Sequence, residues 1–198
     1  MCGIAGFHSA NPEYQGPKIV EGMLQKMRYR GPDQMGIRQY ARTAIGMSRL
    51  SIIDRAEHVI PYEDDHGRAA VVFNGEIYNH DSIRAGLGSD CRFKTPSDAE
   101  TILHGFLKKG LGILDELNGM YAVCIQDIKN DTTYVARDKA GEKPLYYTQG
   151  KDFIAFASEM KSLLELMEPR INLGAVSYRA FEFCVGRETL FQGIHQLE

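Results

Sequence analysis

A layered α+β domain, with two antiparallel sheets face to face and helices covering them, is the fold class this sequence predicts. Three observations carry that expectation. Runs such as "AAVVF" (69–73) and "FIAFA" (153–157) are apolar at successive positions, as strands buried on both faces are. Most neighbouring β-type runs are joined by segments too short for the crossover that a parallel pair needs. Amphipathic helical stretches lie between and after them, and these would form the outer layers.

Taken in order, "GIAGF" (3–7) reads as a short buried strand. "PKIVEGMLQKMRY" (17–29) reads as a helix, with Pro17 at its start and Ile19, Val20, Met23, Leu24 and Met27 at helical spacing. "RGPDQMG" then breaks the chain through Gly31, Pro32 and Gly36. Strand-like runs follow at "GIRQY", "TAIGMS", "RLSIID" and "AAVVFNGEIYN", and the "NG" of the last is the strongest short hairpin signal in the chain. In "PSDAETILHGFLKKG" (96–110), Ser97 and Glu100 stand at capping-box spacing, and Ile102, Leu103, Phe106 and Leu107 form one face. "GILDELNG" predicts a short helix ending at Gly119. Strands are expected at "MYAVCIQD", "TTYVARD", "LYYTQ" and "FIAFAS", then helices at "SEMKSLLELM", capped by Ser158, and "NLGAVSYRAFEFC".

Composition narrows the function. The 198 residues are 43% hydrophobic and 25% charged with a net charge of -3, ordinary for a soluble globular domain. Without a basic block or an acidic tail, nothing points to nucleic acid or to an anionic membrane. Apolar runs such as 120–125 are strand-sized, and the N-terminus lacks the basic and long apolar regions of a secretory signal. Cys2, Cys91, Cys124 and Cys184 form no C-x-x-C pair, which argues against a zinc site or disulfide framework and makes a reducing cytoplasm the expected compartment.

The common catalytic patterns are missing: no G-x-S-x-G, H-E-x-x-H, Walker A or G-x-G-x-x-G segment occurs. A cysteine–histidine pair stays open, although nothing singles out one of the six histidines. What remains is "MCGIAG". Cys2 is either a small hydrophobe leading into a strand or, once the initiator methionine is removed, an N-terminal residue carrying both a thiol and a free α-amine. Model values of about 8.5 for a thiol and about 7.7–8.0 for an α-amine make proton transfer between them nearly thermoneutral. Nucleophile and base on one residue also meet at little entropic cost. Amide hydrolysis would further need oxyanion donors, which Asn74 and the Gly75 N–H could supply. A zwitterionic substrate would need a cation such as Arg49 and an anion such as Asp98. Individually, these three features also fit a turn, a surface charge and a helix cap.

In this order and spacing, Cys2-Gly-Ile, "RGPD", "RLSIID", "NGEIYNH", "SDAE", "NGMYA", "RDKAGEKPLYY" and "SEMKSL" closely resemble the class II glutamine amidotransferase (glutaminase) domain of glutamine-hydrolysing asparagine synthetases. The resemblance runs over residues 2–195. It implies the N-terminal-nucleophile hydrolase fold, a four-layer αββα sandwich, and hydrolysis of L-glutamine to glutamate and ammonia through a γ-glutamyl thioester. By the same resemblance Cys2 is the nucleophile and its amine the base, with Asn74 and Gly75 as the oxyanion hole. Arg49 would take the glutamine α-carboxylate, and Asp98 and Glu76 would surround its α-amino group. Backbone groups of Leu50, Ser51, Ile52 and Ile53 would line the pocket, and Arg30 and Gly31 would belong to a loop ordering around glutamine. Tyr29 departs from the histidine usual before "RGPD".

No cofactor is implied for this domain. The implied partner is a C-terminal ATP- and Mg-dependent synthetase domain absent from this chain, whose junction "LFQGIHQLE" resembles, and a homodimer is compatible with the resemblance. Ammonia acceptors other than aspartate, such as a sugar carboxylate or an antibiotic precursor, remain alternatives. So does a non-catalytic regulatory domain of the same fold.

Overall fold

The structure, a computed structural model, describes residues 1–51, 59–89, 91–179 and 186–198. In chain order its elements are β1 (Gly3–Ser9), α1 (Gly16–Lys26), β2 (Gln34–Tyr40), β3 (Thr43–Arg49), β4 (Tyr62–Glu63), β5 (Ala69–Ile77), α2 (His80–Leu87) and α3 (Asp98–Lys109). There follow α4 (Ile113–Glu116), β6 (Gly119–Asp127), β7 (Thr132–Arg137), β8 (Tyr146–Gln149), β9 (Phe153–Ala157), α5 (Met160–Leu163), α6 (Leu173–Arg179) and β10 (Ile194–Gln196). One sheet has six strands in the order β10-β8-β9-β1-β3-β2, the other four in the order β4-β5-β6-β7. Among the described residues every strand pairing is antiparallel.

The sheets face each other, and alternation along the strands explains how. On β1 and β3, Ile4, Ile45 and Met47 join the core shared with β5 and β6, while Ala5, Phe7 and Ala44 join a second core under α1 and α5. Val20, Met23 and Leu24 of α1 are buried there, each contributing about 1.5–3 kcal/mol by removal from water. On the far side Ala99, Ile102, Leu103 and Phe106 of α3 pack on the four-stranded sheet. The predicted four-layer order of helices, sheet, sheet and helices is therefore the observed one.

Several local expectations differ. Asn74-Gly75 is not a turn: β5 runs straight through, pairing Asn74 with Ala122 and Gly75 with Tyr121. The ladder to β6 overrides the local turn preference. Ser158 does not cap a helix, because its hydroxyl accepts from the Ile4 N–H at 3.0 Å and Glu159 takes the cap position. The ten-residue helix expected there shortens to α5 and a 3-10 turn at 164–166. The capping box is half-formed: Ser97 accepts from the Ala99 N–H, while Glu100 reaches back to the N–H groups of Lys94 and Thr95. Of the "RLSIID" strand, Arg49 ends β3 and Leu50 and Ser51 are irregular; Ile52 and Ile53 lie outside the described residues. So does the end of the helix predicted over 172–184.

Candidate active site

At one end of the sandwich a cavity of about 270 Å³ opens between the sheets, and Cys2, Arg49, Leu50, Asn74, Gly75, Glu76 and Asp98 all line it. Cys2 directly precedes β1, which lies between β3 and β9. Ser158 fixes that strand end by accepting from the Ile4 N–H and donating its own N–H to the Ile4 carbonyl at 2.9 Å. The thiol points at the Leu50 carbonyl, with Sγ 3.9 Å from the oxygen. The thiol is thus mounted at the start of a central strand rather than on a loop tip.

Arg30 does not line the cavity. It is buried, and its Nε donates to the Cys2 carbonyl at 3.0 Å while Nη1 meets Glu159 at 2.7 Å. Burial works against charge on Glu159, but hydrogen bonds from Tyr29 and Arg30 hold its carboxyl below the usual range. Tyr29 thus has a defined role, its hydroxyl donating to the same Glu159 oxygen at 2.6 Å. Gly31 lies on the end of β3, where a Cβ would come within 2.3 Å of the Ser48 carbonyl, so only glycine permits this approach. Asp33 then accepts from the Ser51 N–H at 2.7 Å and donates its own N–H to the Arg49 carbonyl at 3.1 Å. The "RGPD" segment therefore braces the backbone beneath Cys2 and beside Arg49.

The oxyanion candidates come from the opposite sheet. Asn74 is 1% exposed, and its side-chain nitrogen has no hydrogen-bond partner. Gly75 pairs with Tyr121, whose N–H and C=O both turn toward Asp138 on the β7 side. In an antiparallel ladder this makes Gly75–Tyr121 a non-hydrogen-bonded pair, so the Gly75 N–H faces the other edge of β5. The Ile77 N–H, two residues on, points to that same edge and donates to Asp98 at 2.9 Å. The last β4 pairing is Tyr62 with Val71, so β4 stops short of Gly75 and leaves its N–H turned to the cavity.

Asp98 opens α3, and burial pushes its carboxyl up, opposed in part by the Ile77 N–H and by His80. Its helix start is tied to α2 by Arg84, which donates to Thr101 at 2.7 Å and to the Thr95 carbonyl at 3.1 Å. Arg49 is buried at the cavity wall, and Glu76 stands exposed at the rim. Lining residues that were not anticipated as site residues include Met47, Tyr62, Phe73, His80, Met120 and Lys143, and Pro96, Ser97 and Ala99 beside Asp98. Lys143 sits inside the quoted "RDKAGEKPLYY" segment; Tyr62 lies on a two-residue strand that carries no sequence signal. Met1 also lines the cavity. Among the described residues no group of three or more His, Cys, Asp or Glu could hold a metal ion, and no helix is long and apolar enough to cross a membrane.

A family model described as a glutamine amidotransferase domain matches residues 1–198. The chain is 39% identical over 166 residues to glutamine-hydrolysing asparagine synthetase 2 of Bacillus subtilis, a match spanning 82% of this chain and 22% of that protein. Glutamine-hydrolysing asparagine synthetase 3 of Arabidopsis thaliana is 37% identical over 166 residues, spanning 82% of this chain and 28% of the relative. The chain thus spans well under half the length of these relatives. Among solved structures, the B. subtilis glutamine phosphoribosylpyrophosphate amidotransferase in complex with ADP and GMP superposes with a TM-score of 0.68 at 22% identity, over 82% of this chain and 43% of that one. That likeness shows the N-terminal-nucleophile hydrolase fold. With the family match covering every residue and the facing sheets bringing Cys2 together with Asn74 and Gly75, the chain belongs to the glutamine amidotransferase domain family.

Proposed function

We propose that the cavity hydrolyses L-glutamine, with Cys2 as nucleophile and its own α-amine, freed by removal of Met1, as base. The observation that carries the reading is the unclaimed, buried amide nitrogen of Asn74, a residue in the wall of the cavity that holds the thiol. The amine takes the thiol proton, and sulfur attacks the γ-carboxamide carbon. The oxyanion that forms is met by Asn74 Nδ2 and the Gly75 N–H. The C–N bond then breaks, the ammonium returns its proton to the leaving nitrogen, and ammonia departs from a γ-glutamyl thioester. Water attacks the thioester, the amine again accepts a proton, and glutamate leaves as the thiol is restored. Arg49 takes the α-carboxylate by charge-assisted hydrogen bonds, and Asp98 with Glu76 takes the α-ammonium.

The ammonia passes to a synthetase portion such as the relatives' length and names suggest, there to form the amide of aspartate. The unpaired cysteines Cys2, Cys91 and Cys124 suit a reducing cytoplasm. The test is a mass shift of one γ-glutamyl group on Cys2 when Met1-free protein is mixed with glutamine and quenched. Cys2→Ala should remove both the adduct and ammonia release while the protein stays folded. Hydrolysis that survives in Cys2→Ala, or that runs equally fast with Met1 attached, would overturn the reading.

A further inference from the structure

Lys143 is a buried cation in the wall of the Cys2 cavity. Its Nζ meets the Met1 sulfur at 3.6 Å, and among the described residues no carboxylate lies within ion-pair distance of it. The side chain is aimed there by its loop. Asp138 accepts the main-chain N–H groups of Glu142 at 2.8 Å and Lys143 at 3.0 Å, and Leu145 just beyond is fully buried. Holding a lysine away from water without an anion costs stability. A fold that keeps such a charge beside a nucleophile keeps it for what the charge does there.

We propose that Lys143 is a positioning residue for charge in this cavity: its ammonium keeps the α-amine of processed Cys2 neutral and favours the thiolate over the thiol. A neighbouring positive charge disfavours a second one and favours a negative one, which is the direction both groups need. The contact with Met1 places the ammonium in the space that opens when Met1 leaves. The other charged or titratable groups around the cavity are Arg49 on β3, Tyr62 on β4, Glu76 on β5, His80 on α2 and Asp98 on α3, and behind Cys2 lies Arg30, whose charge is paired with Glu159. The inference rests on the Cys2 reading above.

The experiment compares Lys143→Met, which keeps the bulk and removes the charge, with Lys143→Arg, which keeps the charge. Both are made in the full chain, with Met1 removal verified by intact mass. Three quantities are read: kcat/KM for glutamine against pH, the rate of Cys2 alkylation by iodoacetamide against pH, and Tm. For Lys143→Met, the acid limb of kcat/KM and the alkylation profile should both move up by about one pH unit. Rates on that limb should fall about tenfold at a given pH, with KM little changed. Tm should hold or rise, since an unpaired buried charge has gone. Lys143→Arg should keep both profiles near the wild type. Unmoved profiles in Lys143→Met, with or without a lower Tm, would overturn the proposal, as would Lys143→Arg behaving like Lys143→Met. Failure of the Cys2 reading shows separately, as hydrolysis by Cys2→Ala. Alkylation needs no turnover, so it tests Lys143 even then.

Discussion

Asn74 and Asp98 carry opposite kinds of cost, and mutation separates them. Asn74 keeps a buried amide nitrogen without a partner, which in the proposed mechanism meets charge that appears only during reaction. Asn74→Ala should therefore lower kcat by about 10²–10³, or about 2.7–4 kcal/mol, while KM and Tm change little. A raised KM at unchanged kcat would instead make Asn74 a ground-state binding residue. Asp98 is half-buried, and its partial removal from water holds its carboxyl above the usual range. An α-ammonium pairs with the ionised form, so KM for glutamine should rise as pH falls through that raised value, approaching tenfold per pH unit. Asp98→Asn should have a high KM that no longer depends on pH there. The effect on folding runs the other way. A carboxyl whose folded value is raised favours the native state at low pH and loses that contribution as pH climbs through it. Asp98→Asn should thus raise Tm at neutral pH. A fall in Tm would mean that the hydrogen bond from Ile77 outweighs the burial.

At the scale of the element, β5 decides the site by ending its neighbour early. Among the described residues no strand lies beside the edge beyond Val71, and the alternating ladder turns the Gly75 N–H toward that side. A Cβ at Gly75 would come within 2.2 Å of the Met120 carbonyl oxygen and 2.7 Å of the Tyr121 Cα, both backbone of β6. Gly75→Ala should therefore push the strands apart, at about 1–3 kcal/mol for overpacking, and kcat should fall together with Tm. Thermal melting alongside turnover distinguishes this from Asn74→Ala. Here the sequence misleads for a physical reason: Asn-Gly is a turn by local preference, and only pairing with β6 makes it a strand. Helix α2 escaped notice because only Ile83 and Leu87 of its eight residues are buried. Ser158 has the chemistry of a cap, but a strand 154 residues away claims its hydroxyl. Strands with long apolar runs, such as β5 and β6, were legible because most of their residues are buried on both faces, whereas β9 leaves Ile154 exposed.

On the scale of the whole molecule, the sandwich itself was legible from short connections and doubly apolar strands. The assembly of the cavity was not, since Tyr62, His80 and Lys143 reach it only through tertiary packing. Arg30 likewise turns out to hold the Cys2 carbonyl rather than face the cavity, a role no spacing in the sequence announces. Cys2 and Arg49 belong to the six-stranded side, and Asn74, Gly75 and Asp98 to the other. A glutamine held at its carboxylate by Arg49 and at its ammonium by Asp98 becomes a cross-brace between two halves of the core. Bound to Cys2→Ala, where it is not consumed, at a hundred times its Kd, it should add about 2.7 kcal/mol to stability. Tm should rise by several degrees, and removing either anchor, Arg49 or Asp98, should abolish most of that rise. Amide exchange should slow on β3 and β5 together, on both sides of the seam, as if the substrate were a rivet and the two sheets its plates.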